Sequence, residues 1–238
     1  MVTSATYRQT SDGPKNPNDP DNTLLGRMNR RRLEAEAIRD AILVTAGTLN
    51  TKPYGPGVKV PLEPEVYDLI FTEDEPDGLW PVTPDPAEHT RRSIYLFAKR
   101  NMKLPLFEAF DQPDTLNSCA ARPVSTFAPQ ALILMNGPFA REQAGRMAFN
   151  LLKTDANPER VISDAYGRTF GREPTAEEAK LGEKFLDEQT KSIRDRIRAR
   201  QDIGLPAGLP TRVDPAVARA LADYCLGLLN SNEFVYID

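Results

Sequence analysis

The sequence predicts a mainly α fold, a helical domain with a small β element and a long proline-rich irregular excursion. Three observations carry this. Thr175-Ala-Glu-Glu178 spells a capping box, in which the Thr175 hydroxyl and the Glu178 carboxylate each satisfy an amide left open at a helix start. Gly47 and Gly171 each follow a helix-like run, where a left-handed terminal residue stops a helix. Eight of the 21 prolines fall between residues 51 and 90, a density that excludes regular helix and central strand there.

The elements follow in order. Residues 1–22 are a lead-in whose stretch TSDGPKNPNDPDN (10–22) is turn chemistry throughout. Asp21 or Asn22 can cap a helix from about Thr23, with a break near Asn29, ending at Ala46 before Gly47, so 23–50 is the first helical region. On a helical wheel Leu33, Ala37, Ile38, Ala41, Ile42, Val44 and Thr45 cover one half, with Glu34 intruding. Arg32, Glu36, Arg39 and Asp40 share the other half with Leu43, so that polar side is expected to be partly covered. Residues 51–90 form the excursion, with short strand-like pieces at Val58–Val60 and Val66–Phe71. Arg91–Lys99 alternates polar and apolar positions and is the best strand candidate, although a short buried helix fits nearly as well. Pro105–Phe110 reads as one helical turn leading to Asp111. Thr126 can cap a helix over Ala128–Asn136, and Gly137-Pro138 restarts one through Leu152. Further helices cover Pro158–Phe170, the stretch opened by Thr175, with a solvated charged tail at Lys191–Asp202, and Ala216–Leu229 after Asp214-Pro215; Gly204–Pro210 is a turn. The expected core is Leu25, Ile38, Ile42, Leu132, Leu134, Phe149, Leu152, Ile162, Tyr166, Phe185, Leu221 and Leu228.

Composition excludes several kinds of chemistry. Thirty Lys and Arg against 34 Asp and Glu give a net charge of −4, unlike the basic domains that bind nucleic acid. One histidine and two cysteines cannot build most zinc sites, and neither CxxC nor CxxCH occurs. No metal site and no cofactor are therefore expected. No run of 18 apolar residues is present, so no membrane span is expected. MVTSATYRQTSDG lacks the basic and apolar regions of a signal peptide. It reads like the end of an element already under way, and the domain is expected to be a single unit over 1–238, incomplete at its N-terminus.

Chemistry must then come from Arg, Asp, Glu and Tyr. On Arg32, Glu36, Arg39 and Asp40 the bland reading is salt-bridge lacing worth about 0.2–0.5 kcal/mol per pair. The functional one is a polar pocket with Arg39 binding an anion and Glu36 or Asp40 acting as base. Arg91, Arg92, Lys99 and Arg100 bracket the strand-like segment, either as edge charges or as partners of Glu36, Asp40 or Asp111. Asp111 and Asp114 in FDQPD are either turn residues or carboxylates aimed at a cleft near Arg122 and Gln130. His89 would need an orienting carboxylate, Glu88 or Asp85, to serve as a base. Glu73-Asp74-Glu75 with Asp77 lacks the alternation of a calcium loop. Tyr54, Tyr67, Phe71 and Trp80 either anchor the excursion or form a stacking platform. Cys119 and Cys225 could pair or stay free, with Cys225 read as core and Cys119 as the exposed, more reactive one.

Seven phrases together resemble one family: SATYRQTS (4–11), RRRLEAEAIRDAILVTAG (30–47), RRSIYLFAKR (91–100), FDQPD (110–114), CAARPVSTFAPQALILMN (119–136), GREPTAEE (171–178) and LLNSNEFVYID (228–238). They are similar to the C-terminal domain of large surface or secreted proteins of planctomycete-type bacteria, the domain of unknown function numbered 1553. The resemblance implies an extracytoplasmic setting and upstream domains of the same protein, among them a haem-bearing cytochrome-c-like one. It transfers no catalytic residues. The expected function is a non-catalytic interaction or ligand-binding module, with polysaccharide as a candidate partner and no nucleic acid. The alternative is a carboxylate- and arginine-based hydrolase acting on glycans or glycan esters. The catalytic candidates are Glu36, Asp40 and Asp111, and the ligand-binding ones Arg32, Arg39, Arg91, Arg92 and Arg122.

Overall fold

Asp21 and Asn22, expected to cap a helix from Thr23, open no helix there; the stretch is a loop held by Asp19 and Asn22. The Asp19 carboxylate accepts hydrogen bonds from the Thr23 amide and hydroxyl, both at 2.8 Å, and from the Leu24 amide at 2.9 Å. Asn22, itself at φ +53°, accepts from the Arg27 amide and donates to the Arg27 carbonyl and to Asn29. With these donors and acceptors taken locally, the backbone has no reason to turn helical before Ala35. The computed structural model describes the chain except at residues 1–2, 6–7, 14–15, 64–66, 68–79, 101, 156, 205–212 and 238.

After the loop, β1 (Arg31–Arg32) pairs antiparallel with β2 (Tyr236–Ile237), so the only named sheet among the described residues joins the segment at 31–32 to the stretch at 236–237. Helix α1 (Ala35–Ala46) follows and stops at Gly47, which takes φ +71° as its position requires. The short α2 (Pro105–Ala109) precedes α3 (Ala128–Asn136), α4 (Pro138–Thr154), α5 (Pro158–Phe170), α6 (Ala176–Arg198), α7 (Pro215–Leu229) and α8 (Asn232–Val235). The starts of α5, α6 and α7 are the expected ones. Asn157 and Asp214 accept from the first amides, and Thr175 and Glu178 complete the capping box. Thr126 does not cap α3, whose flanking residue is Phe127; the Thr126 hydroxyl lies 3.3 Å from that of Tyr236.

The core forms where α4 and α7 lie side by side. Ala144, Met147, Ala148 and Leu151 of α4 meet Leu221, Ala222, Cys225 and Leu229 of α7, with Ile38, Ile42 and Ala46 of α1 completing one buried cluster. A second cluster joins Ile193 of α6 and Ile203 to Ala216 and Ala220 of α7, so the tail 191–202 is not solvated throughout. Ile38, Ile42, Leu134, Leu152, Ile162, Tyr166, Leu221 and Leu228 are buried as expected. Leu25, Leu132 and Phe185 are exposed and Phe149 half-buried. Leu25 sits in the Asn22 loop, which presents no apolar face to the helices.

Arg91–Lys99 is neither strand nor buried helix. Single parallel bridges tie Arg91 to Asn50 and Leu96 to Val58, and a 3-10 turn covers Ser93–Tyr95 between them. Among the described residues no neighbouring strand runs long enough to make a ladder, so the alternation has nothing there to pair with. Of the two strand-like pieces in the excursion, 58–60 contributes one bridge at Val58, and Val66–Phe71 lies outside the described residues but for Tyr67. So does most of the turn 204–210.

Candidate functional site

The polar side of α1 is covered, as the position of Leu43 implied, and Leu43 is fully buried. What covers it is the segment 88–96. The Arg39 side chain, 4% exposed as a residue, donates to the carbonyls of Arg91 (2.9 Å) and His89 (2.6 Å) and to the Ser93 hydroxyl (3.2 Å). Burial pushes its guanidinium down to about 10, which still leaves it charged at neutral pH. Asp40, one residue on, accepts from the Ser93 amide and hydroxyl, both at 2.7 Å, and so caps the 3-10 turn from outside. The Ser93 hydroxyl therefore accepts from Arg39 while donating to Asp40, and the loop is fastened to the helix by one continuous polar chain.

Arg91 is buried without trace at the surface and fastens a second layer. It donates to the Lys52 and Tyr54 carbonyls, pairs with Glu88 at 3.1 Å and stacks on the Tyr95 ring at 4.0 Å. Glu88 also meets Lys52 at 2.7 Å, and these hydrogen bonds, that from Lys52 foremost, hold its carboxyl below the ordinary value. Arg91 and Arg39 are thus structural clamps; Arg91 lines neither of the two cavities described below, whereas Arg39 also lines the wall of one of them.

Beside this clamp a cleft of about 450 Å³ opens. Glu36, Asp40, Arg92, Lys103 and Arg122 line it together with the apolar side chains of Ile94, Leu96 and Phe97. Glu36 pairs with Arg122 at 2.7 Å, Glu34 adds a longer contact at 3.3 Å, and Glu36 first among them holds the Arg122 guanidinium above its usual value. Arg92 is the most available cation: its side chain is 61% exposed, and its Nε reaches Asp40 at 3.4 Å. Lys103 and Phe97 were missed as site residues, and no local pattern marks them, because a fold in which 103 comes opposite α1 is what gathers them.

Asp111 does not reach this cleft. Its carboxylate accepts from the Ser125 amide and hydroxyl at 2.8 Å and from Arg32 at 2.7 Å. Burial opposes its ionisation, but the Ser125 bonds and Arg32 outweigh that and leave the carboxyl below its ordinary value. Arg32 stacks on Phe110 at 5.0 Å and leaves Nε and Nη1 buried without a partner. Both residues fasten the 111–125 loop to β1, and neither lines the cleft. Asp114 caps its own turn through Leu116 and Asn117.

His89 is oriented by a carbonyl, not a carboxylate: its Nε2 lies 2.7 Å from the Thr83 oxygen, while Asp85 caps Ala87 and Glu88 is taken by Lys52 and Arg91. Trp80 anchors the excursion, donating to the Val60 carbonyl and meeting Phe97 edge to face at 5.9 Å. Tyr54 is exposed. Phe71 and the acidic group Glu73–Asp77 lie outside the described residues. Cys119 is exposed and Cys225 buried, and both are free. Among the described residues no helix is long and apolar enough to cross a membrane.

A family model described as PSD1, protein of unknown function (DUF1553), matches residues 1–186. The match takes in every phrase of the resemblance except LLNSNEFVYID, and it ends within α6, before the α7 helix that completes the core. No curated protein and no solved structure matches the chain.

Proposed function

The chain belongs to the PSD1 family of proteins of unknown function (DUF1553), and we propose that it is a non-catalytic ligand-binding module of a larger extracytoplasmic protein, taking an acidic polysaccharide in the cleft beside α1. One observation carries this reading. Two of the cleft's carboxylates are already committed within the protein, Asp40 to Ser93 and Glu36 to Arg122, and the third, Glu34, makes a longer contact with Arg122, whereas among the described residues the Arg92 guanidinium has a partner only for its Nε. A hydrolase needs one carboxyl free to give a proton and another free to attack or activate water. A binding site for uronates needs the opposite: fork-shaped cations for carboxylates and an apolar surface for sugar faces. Arg92 supplies the first, and the exposed Ile94 and Phe97 the second.

The test is calorimetric titration of the chain with oligogalacturonate and with a neutral oligosaccharide of equal length. The acidic chain is expected to bind and to weaken with salt. Loss of Arg92 as Arg92→Ala should reduce its affinity about tenfold or more, since charge-assisted hydrogen bonds contribute about 1.5–3 kcal/mol. Equal binding of the neutral chain would refute the reading. Release of reducing ends that stops in Glu36→Gln would replace it with the hydrolase.

A further inference from the structure

A second cavity, of about 630 Å³, lies on the opposite side of Leu104 and Phe107, which line both spaces. Its volume is that of a small-molecule site. Its walls are apolar, with Phe139, Leu106 and Ile133 among them. Two polar groups in the lining have one end fixed by the protein and the other unspent. Gln143, 3% exposed, accepts the Thr48 hydroxyl at 2.6 Å through its carbonyl oxygen, which leaves its Nε2 amide as a donor without a partner among the described residues. The Thr83 carbonyl can only accept, so the His89 tautomer that serves it donates from Nε2 and keeps Nδ1 as an acceptor. The charges around them are largely spent: Arg39 is satisfied by the His89 and Arg91 carbonyls and Ser93, and Glu142 pairs with Arg146 at 3.6 Å. Glu63 adds a carboxylate to the lining, which disfavours an anion.

We propose that this cavity is a separate binding site for a small neutral aromatic molecule carrying an amide or equivalent donor–acceptor edge. Its acceptor meets Gln143 Nε2, its donor meets His89 Nδ1, and its ring lies among Phe139, Leu106 and Ile133. A buried donor fixed in direction by a second side chain discriminates strongly, because a ligand lacking the matching acceptor leaves it desolvated and unpaired. The site shares no charged residue with the cleft and stands whether or not the cleft binds polysaccharide.

Benzamide, benzoate and toluene titrated into the full chain, followed by ¹H–¹⁵N NMR, test this. Benzamide is expected to shift the Gln143 side-chain amide and the amides of Phe139 and Ala140, and to bind at least tenfold more tightly than benzoate. Gln143→Leu, which keeps the volume and removes the donor, should weaken benzamide about five- to tenfold and leave toluene unchanged. His89→Ala, at a half-buried position, provides an independent second loss, and Arg92→Ala should have no effect. The proposal is overturned if benzamide does not bind, if benzoate binds as well, or if both site variants keep full affinity.

Discussion

Replacing Arg39 with methionine keeps a side chain of similar reach against Phe139, whose ring lies 5.3 Å from the guanidinium, and removes the charge. The variant leaves the His89 and Arg91 carbonyls without their donor and breaks the polar chain through Ser93 to Asp40. Three charge-assisted hydrogen bonds at about 1.5–3 kcal/mol each represent roughly 4–9 kcal/mol in the folded protein. The variant no longer has to desolvate a guanidinium, which returns part of that. The net loss should be about 3–5 kcal/mol, the size seen when a buried charged network loses one partner. For a chain of this length that lowers the melting temperature by roughly 10 °C. Urea unfolding followed by circular dichroism measures it, with Arg92→Met as the control on the same loop. Arg92 is largely exposed and makes one long contact, so its loss should cost about 0.5 kcal/mol or less. Equal effects of the two substitutions, or a loss below about 1 kcal/mol for Arg39→Met, would refute the clamp.

Three further outcomes follow from the packing and the titrating groups. An Ala at Gly182 would gain about 0.5–1 kcal/mol of helix propensity, but its Cβ would stand 2.7 Å from the Tyr224 hydroxyl and 3.2 Å from Ile162. Overpacking at about 1–3 kcal/mol should win, so Gly182→Ala destabilises, and Tyr224→Phe in the same chain should recover part of the loss in a urea titration. Arg172 and the Thr175 amide hold the Glu178 carboxyl down to about 2. A carboxyl lowered on folding adds stability that is present above its unfolded value near 4.5 and lost as pH falls towards 2. Melting temperature should therefore drop less steeply across pH 4.5 to 2 in Arg172→Met than in the parent. Burial pushes the Cys225 thiol well up, while Cys119 is exposed, so a thiol reagent at neutral pH should titrate one cysteine quickly and the second on unfolding.

The helices α4 to α7 were legible because their start and stop signals act on backbone groups within four residues. Thr175 reaches the amide of Glu178, Asp214 that of Ala216, and Gly171 the turn behind it. The lead-in was not legible for the same chemical reason. Asp and Asn cap helices and hold loops with identical side-chain oxygens, and what decided the outcome was that Asn22 also found Arg27 and Asn29. The segment from 91 was misread because its controlling partner, Asp40, lies 53 residues upstream. A strand pattern records only that side chains alternate; the ladder that would make it a strand has to be supplied from elsewhere in the chain.

That alternation nevertheless bears on the site. In an extended segment alternate residues point to opposite sides, and the 3-10 turn keeps that division for Arg91, Ser93 and Tyr95 against Arg92 and Ile94. The polar pair Arg91 and Ser93 is inward and buried, while Ile94 stands 76% exposed beside Arg92. The usual preference is reversed because α1 presents Arg39 and Asp40 to the loop, so the inward positions must be filled by groups that complete hydrogen bonds. The apolar side chains are then displaced to the outer side, where with Arg92 they line the cleft. The same ion pairs that first suggested catalysis thus account for an exposed surface of Ile94, Phe97 and Arg92, which is suited to binding and leaves the carboxylates spent on holding it in place.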